Sequence, residues 1–303
     1  MTDHYLSGVF NITPTPFTPN GALDEASLAR LVAFLIGKQV DGLTVLGVLG
    51  ECDRVSEAER DGIVTTAVAA ADGRVPICVG TTHSGTDMCA QYSQRAQAQG
   101  AKAVMVGPPK LARSSDAALR KHYLKVAESV DIPIVIQDYP PSSGVFMSVE
   151  FLARIGDEAP HCRFVKLEDD PTPPKIGELL AANPRLRVFG GLGGVMFLEE
   201  LRRGAIGTMT GFAFPEVLVD IHRRFIGGDA NGAADVFYRY CPVIRFENQA
   251  RINIALRKHI FERQGVISSA HVRAPSMPLD QGTLDDLHDL MIRLDLARTA
   301  PRV

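Results

Sequence analysis

The chain has 303 residues, a formal net charge of −3 and ordinary globular composition, with 46% apolar residues. It carries no basic excess that would suit nucleic acid, and no apolar stretch reaches the length needed to span a membrane. The five cysteines (Cys52, Cys78, Cys89, Cys162, Cys241) are odd in number and form no C-x-x-C pair, so neither a disulfide framework nor a zinc site is expected. The segment Met1-Thr2-Asp3-His4 lacks a basic region followed by an apolar run, so no secretory signal is expected, and the setting expected is cytoplasmic.

Short β-rich apolar runs alternate along the chain with longer amphipathic segments. The predicted strands are 8–12, 42–46, 76–80, 103–106, 133–137, 164–167, 187–190 and 204–210. The predicted helices between them are 24–38, 56–71, 86–99, 116–130, 148–155, 174–182 and 195–203. Ser56 followed by Glu59 reads as a capping box, and Ser148 opens a periodic run through Phe151 and Leu152. Beyond about residue 212 no strand signal returns, and 215–226, 230–255 and 280–296 read as helices.

Eight strands with intervening helices predict an α/β fold, a (β/α)₈ TIM barrel with a C-terminal helical extension. The domains expected are a catalytic barrel over 1–224 and a helical extension over 225–303. The competing doubly wound sheet is weakened in its dinucleotide-binding form, because no G-x-G-x-x-G follows the first strand. In a barrel, chemistry gathers at the C-terminal ends of the strands. There the chain carries Gly47-Val48-Leu49-Gly50-Glu51, Gly107-Pro108-Pro109-Lys110, Gln137-Asp138-Tyr139, Lys166-Leu167-Glu168 and Gly190-Gly191-Leu192-Gly193-Gly194.

Lys166 stands inside the apolar run Phe164-Val165-Lys166-Leu167. Burial of a lysine favours its neutral amine, which is the form a Schiff-base nucleophile needs. Read alone, the segment is more often that of a strand-end lysine with its head in solvent.

In the order and spacing of its motifs the chain resembles the dihydrodipicolinate synthase / N-acetylneuraminate lyase family of lysine-dependent barrel enzymes. The resemblance is carried by Pro14-Thr15-Pro16-Phe17, Gly47–Glu51 (family form G-T-T-G-E), Pro140 to Gly144, Lys166 and Gly204-Ala205-Ile206-Gly207. It implies that Lys166 forms a Schiff base with a 2-oxo acid substrate and that barrels assemble as a homotetramer. It also marks departures. Gln137 stands at the family's strand-five tyrosine, Val48 and Leu49 replace two threonines, and Lys110 falls at the second tyrosine. Ser142 stands where the synthase branch carries an arginine.

The resemblance implies a proton relay of those two tyrosines, the second from a neighbouring subunit, and a threonine; with it missing, Glu168 becomes the candidate base, since strand period two points it to the same side as Lys166. The alternative is an ion-pair partner only. Tyr139 could restore a phenol, or could be a packing residue at the rim. Gln137 reads as a hydrogen-bonding positioner, because its amide takes no proton at neutral pH. The backbone N–H groups of Val48, Leu49 and Gly50 could bind the substrate carboxylate, or their turn could simply seal the barrel, and Glu51 could hold that loop. Gly190 and Gly191 read as close backbone approach to a ligand, or as positions needing positive φ. Met209 reads as packing on the substrate or in the core. The histidines show no metal-ligand spacing, and neither a metal nor a cofactor is expected.

The function expected is a Schiff-base dehydratase of a 2-keto-3-deoxy sugar acid, with L-2-keto-3-deoxyarabonate as the specific candidate. The alternatives are a pyruvate-dependent aldolase, dihydrodipicolinate synthesis, and a non-catalytic 2-oxo-acid sensor.

Overall fold

The computed structural model describes residues 6–111 and 114–297. The first four residues, discussed above for a secretory signal, lie outside them, as do the last six of the expected extension.

Eight parallel strands close into a barrel in sequence order. They are β1 Gly8–Ile12, β2 Gly42–Val45, β3 Ile77–Gly80, β4 Ala103–Val106, β5 Ile134–Asp138, β6 Phe164–Leu167, β7 Arg187–Gly190 and β8 Gly207–Thr210. Closure comes from β1 pairing with β8, with Phe10 opposite Met209. The helices outside and between them are α1 Glu25–Gly37, α2 Glu57–Ala71, α3 Thr86–Ala98, α4 Asp116–Ala127, the single turn α5 Pro140–Ser143, α6 Val149–Glu158, α7 Thr172–Ala182, α8 Phe197–Arg202 and α9 Pro215–Ile226. The chain ends in α10 Ala230–Glu247, α11 Asn253–Arg263 and α12 Gln281–Arg293.

Two corrections follow. The single helix expected over 230–255 is broken: α10 stops at Glu247, and α11 starts at Asn253 after a turn. Periodicity continues across that turn, so apolar spacing alone joins the two. The last strand is shorter than 204–210, because Gly204 (φ 97°) ends the preceding helix and Gly207 (φ 154°) opens β8. The 224/225 boundary falls in the last turn of α9.

Start signals hold where the sequence carries them. Ser56 and Glu59 form the reciprocal capping box of α2, and Ser148 Oγ accepts from Phe151 N at 3.1 Å. Each such cap is worth about 1 kcal/mol.

Strand alternation divides the core in two. Outward residues such as Val165, Leu167, Val188 and Ile136 pack under the helices. Inward residues Phe10, Cys78, Met105, Val135, Phe164, Phe189 and Met209 fill the barrel. Phe10 meets Phe189 edge-on at 5.6 Å, and Phe164 stacks on Phe189 at 6.4 Å. Each buried ring contributes roughly 1.5–3 kcal/mol. This apolar plug closes the barrel from below, and Gln137, Lys166 and Glu168 line the cavity above it. Among the described residues no helix is long and apolar enough to cross a membrane, and the five cysteines are unpaired.

Candidate active site

Lys166 is in register with Gln137 of β5 and with Phe189 of β7. Phe164, two residues earlier on the same face, lies in the inner plug, so Lys166 is the next inward layer up. Glu168 N donates to Asp138 O at 2.9 Å, which carries the β5–β6 pairing one step past the strand and keeps Glu168 facing inward. Lys166 is 4% exposed and Glu168 7%. Lys166 Nζ lies 2.8 Å from Glu168 Oε2. The same oxygen accepts from Gln137 Nε2 at 2.9 Å, and Glu168 Oε1 accepts from Leu192 N at 3.3 Å. The carboxylate is therefore fixed from three sides and holds the amine at the floor of a cavity of about 370 Å³.

Tyr139 lines this cavity, with Val48, Leu49, Leu192 and Thr210. β5 ends at Asp138, and Pro140 starts α5 directly after, so Tyr139 leaves the strand where its ring still faces the site. Burial, and then the neighbouring Glu168, push the Tyr139 hydroxyl above its ordinary pKa of 10.0. It thus holds its proton and can offer its hydroxyl as a hydrogen-bond donor in the cavity. On the opposite face, Lys175 Nζ reaches Asp138 Oδ2 and Asp169 Oδ2 at 2.7 Å each, and Met147 O at 2.8 Å. Burial raises Asp138 to about 6, with Lys175 opposing the shift. This cluster ties the ends of β5 and β6, the two strands that present Gln137 and Lys166.

The sequence matches the dihydrodipicolinate synthetase family over residues 5–293. The chain belongs to that family. It is similar to L-2-keto-3-deoxyarabonate dehydratase of Azospirillum brasilense, 34% identical over 95% of this chain and 94% of that one. It is also similar to 4-hydroxy-tetrahydrodipicolinate synthase of Sorangium cellulosum, 33% identical over 99% and 100%. Among solved structures it resembles YagE, a prophage protein of Escherichia coli K12 in complex with pyruvate, with TM-score 0.90 and 26% identity over 96% and 99% of the two chains. As a member of the dihydrodipicolinate synthetase family, the chain is an enzyme of the lyase and aldolase kind.

Measured on the family pattern, Gln137, Tyr139, Lys166, Glu168, Val48 and Leu49 come together around one cavity. Lys110 and Ser142 line a separate chamber of about 60 Å³, which shares Val48, Gln137 and Tyr139 with the first. Four candidates stand elsewhere. Gly50 lies off the cavity and its N–H is bonded to Gly47 O at 2.9 Å, so it is no free donor for a carboxylate. Gly190 and Gly191 do accept close approach, but by protein: a Cβ on Gly190 would strike the Glu200 carboxylate, and one on Gly191 the side chain of Glu168. Neither has positive φ. Met209 is fully buried in the inner plug beneath the site, so it packs in the core. Glu51 holds its loop: its carboxylate is bound by Lys258 Nζ, by Arg54 Nη1 at 3.1 Å and by Arg273 N at 3.1 Å.

The sequence reading missed Thr210, Asn248 and Arg251, which also border the cavity. Thr210 Oγ1 accepts from Gly193 N at 2.8 Å, and Asn248 Nδ2 donates to Leu192 O at 2.9 Å, so both shape the loop that presents Leu192 N to Glu168. Thr210 escaped because strand alternation, with Met209 facing inward, points it away from the barrel interior. Asn248 and Arg251 were hidden by the expected continuous helix. Among the described residues no group of His, Cys, Asp or Glu could hold a metal ion.

Proposed function

We propose that this enzyme is a Schiff-base hydro-lyase that dehydrates a 2-keto-3-deoxy sugar acid, converting L-2-keto-3-deoxyarabonate to 2-oxoglutarate semialdehyde. The observation that carries the reading is the Lys166–Glu168 pair at 2.8 Å on the cavity floor, in a site where Val48 and Leu49 offer no side-chain hydroxyls.

Glu168 accepts the proton of the Lys166 ammonium. The neutral Nζ adds to the substrate C2 carbonyl, and the C2 oxygen leaves as water, giving an iminium. The iminium draws electrons from C3, and Glu168 removes a C3 proton to give an enamine. The enamine electrons expel the C4 hydroxyl, which departs as water with a proton that Tyr139 can supply. A C5 proton and the C5 hydroxyl proton then leave, and protons added at C4 and C3 turn C5 into the aldehyde. Hydrolysis of the iminium frees Lys166. One water is consumed and two are released, so the balance is the loss of one water. Gln137, donating to Glu168 Oε2, orients the carboxylate throughout.

The 34% identity to a dehydratase with that substrate in its name supports this reading. A pyruvate-dependent aldolase is the second reading, favoured by the likeness to the pyruvate complex. In that case the base would act on the C4 hydroxyl, and the C3–C4 bond would break.

The test is borohydride reduction in the presence of pyruvate, which should add the reduced pyruvyl mass to Lys166. Absence of that adduct removes the mechanism. Turnover of a panel of 2-keto-3-deoxy acids separates the readings: water loss with an intact carbon chain is expected, and release of free pyruvate would make the enzyme an aldolase.

A further inference from the structure

Gly190 and Gly191, where β7 runs out, are held between two carboxyl groups. A Cβ on Gly191 would meet the side chain of Glu168, which lines the cavity. A Cβ on Gly190 would meet the carboxyl of Glu200, which comes from α8 outside the barrel. Both approaches need glycine, because a side chain at either position would displace a carboxyl. The next residue is Leu192, whose N–H donates to Glu168 Oε1 at 3.3 Å. One short segment therefore links Glu200 to the carboxylate that faces Lys166.

Glu200 is 0% exposed, and its surroundings suit a neutral acid rather than a carboxylate. Thr172 Oγ1 donates to Oε1 at 2.7 Å, and Oε2 has no hydrogen-bond partner among the described residues. Glu247 is as deeply buried and is treated differently: Arg257 Nε donates to it at 2.6 Å, and Ala213 N reaches its two oxygens at 3.1 and 3.0 Å. A buried carboxylate with a single donor is costly, and a neutral carboxyl in the same place much less so. The charged groups acting on Glu200 are all acidic: Glu168 across the glycines, Glu199 beside it on α8, and Asp170 in the segment before α7. From α9, His222 stacks on Phe197 and bonds to Ile206 O, and from α10 Cys241 faces Glu199. Burial above all pushes Glu200 up to about 8; the Thr172 hydroxyl opposes the shift and the like charges add to it.

We propose that Glu200 is a positioning residue: held neutral, it braces Gly190 and Gly191 from outside, keeps Leu192 N on Glu168 and spares that carboxylate a second negative charge at its back. Ionisation of Glu200 sets two like charges on either side of one dipeptide, which displaces Glu168 and stops turnover. The role of Glu168 as base rests on the Schiff-base reading; the neutral state of Glu200 does not.

The test is the pH dependence of turnover at saturating substrate, with far-UV circular dichroism to show that the fold persists. Wild-type turnover should fall about tenfold between pH 7 and pH 9, as Glu200 ionises through about 8. Tyr139 is held above 10.0 and lies beyond that range. Glu200→Gln has nothing to ionise there and should keep at pH 9 the turnover it has at pH 7. An alkaline fall that survives in Glu200→Gln overturns the proposal, as does a wild type with no fall. If Glu200→Gln does not fold, Thr172→Val serves: losing the one donor to the anion should carry the fall to higher pH, and an unmoved fall overturns the proposal. Infrared difference spectra of wild type between pH 7 and pH 9 give a reading independent of the substrate. The carbonyl stretch of an un-ionised carboxylic acid should be present at pH 7 and lost at pH 9, and its absence at pH 7 overturns the neutral Glu200. Failure to trap pyruvate on Lys166 would remove the Schiff-base reading, and the infrared band would still decide the state of Glu200.

Discussion

Lys166–Glu168 and Lys258–Glu51 are both buried lysine–glutamate pairs on the C-terminal side of the barrel, in contrasting surroundings. The first opens on a cavity of about 370 Å³, and its carboxylate takes further donors from Gln137 and Leu192 N. The second is sealed. Lys258 is 0% exposed, donates to His271 O at 2.8 Å as well as to Glu51, and stands 4.5 Å from the centre of the Phe17 ring. Burial pushes Lys258 down to about 8, against the pull of Glu51. Buried charge is thus no mark of catalysis by itself. What separates the pairs is that one of them lines a cavity, while the other meets only protein groups.

The largest effect that would break this contrast concerns the sealed pair. Removing one partner strands a buried charge, so Lys258→Met should lower unfolding free energy by about 3–5 kcal/mol. Urea denaturation measures the loss. The double variant Glu51→Leu/Lys258→Met removes both charges and should recover most of it. The folded fraction of either should still trap pyruvate on Lys166. Loss of trapping with stability retained would show that the sealed pair acts in the chemistry, and the contrast would be wrong.

The next effect belongs to the open pair. Glu168→Gln keeps the shape and the hydrogen-bonding capacity but cannot carry a proton. Turnover should fall about 100-fold or more, the usual scale for a general base, or about 2.7 kcal/mol in the barrier. Pyruvate trapping at saturation should fall much less, and urea stability should stay close to wild type. Turnover that survives the change would reduce Glu168 to an ion-pair partner, like Glu51.

The same contrast explains what the sequence could reveal. The barrel was legible because strand alternation and helical spacing report which faces are buried, and eight such units admit few arrangements. Lys166 and Glu168 were legible as a pair because period two points both to one side of β6. The motifs that carry the family resemblance, however, belong largely to the sealed region. Phe17 packs under Lys258 and Arg273, Thr15 Oγ1 holds Gly50 O at 2.6 Å, and Glu51 anchors Lys258. They identify the fold through its supports. Arg251 and Asn248 escaped for a physical reason: the chain leaves the helix at Asn248 with no glycine or proline to mark it, and the turn is held by a tertiary hydrogen bond from Asn248 to Leu192 O and a local one from Gln249 to Phe246 O. Gly190 and Gly191 were expected to let a ligand approach the backbone closely. The approaching groups, Glu200 and Glu168, come from the protein, and a single sequence does not say which residue will lie opposite.

The smallest effect sharpens the contrast at the rim of the sealed region, where the Arg273–Glu59 ion pair meets solvent. Glu59 caps α2 through Ser56 N at 2.8 Å and also receives Arg273 Nη1 at 2.9 Å. The Arg273 hydrogen bond pulls its carboxyl down to about 2, against an ordinary value of 4.5. Because the folded value is the lower one, the unfolded chain takes up a proton first as the solution is acidified. The stabilisation from Glu59 is therefore complete above about pH 4.5, and is lost as pH falls through about 2. Solvent screens the group, so the effect should be about 1 kcal/mol or less. Melting curves of wild type and Glu59→Gln should differ at pH 6 and converge as the pH falls below 4.5. A gap that stays constant with pH would mean that Glu59 acts through its shape at the helix start, and that charge in this region matters only where water is excluded, as at Lys258 and Glu51.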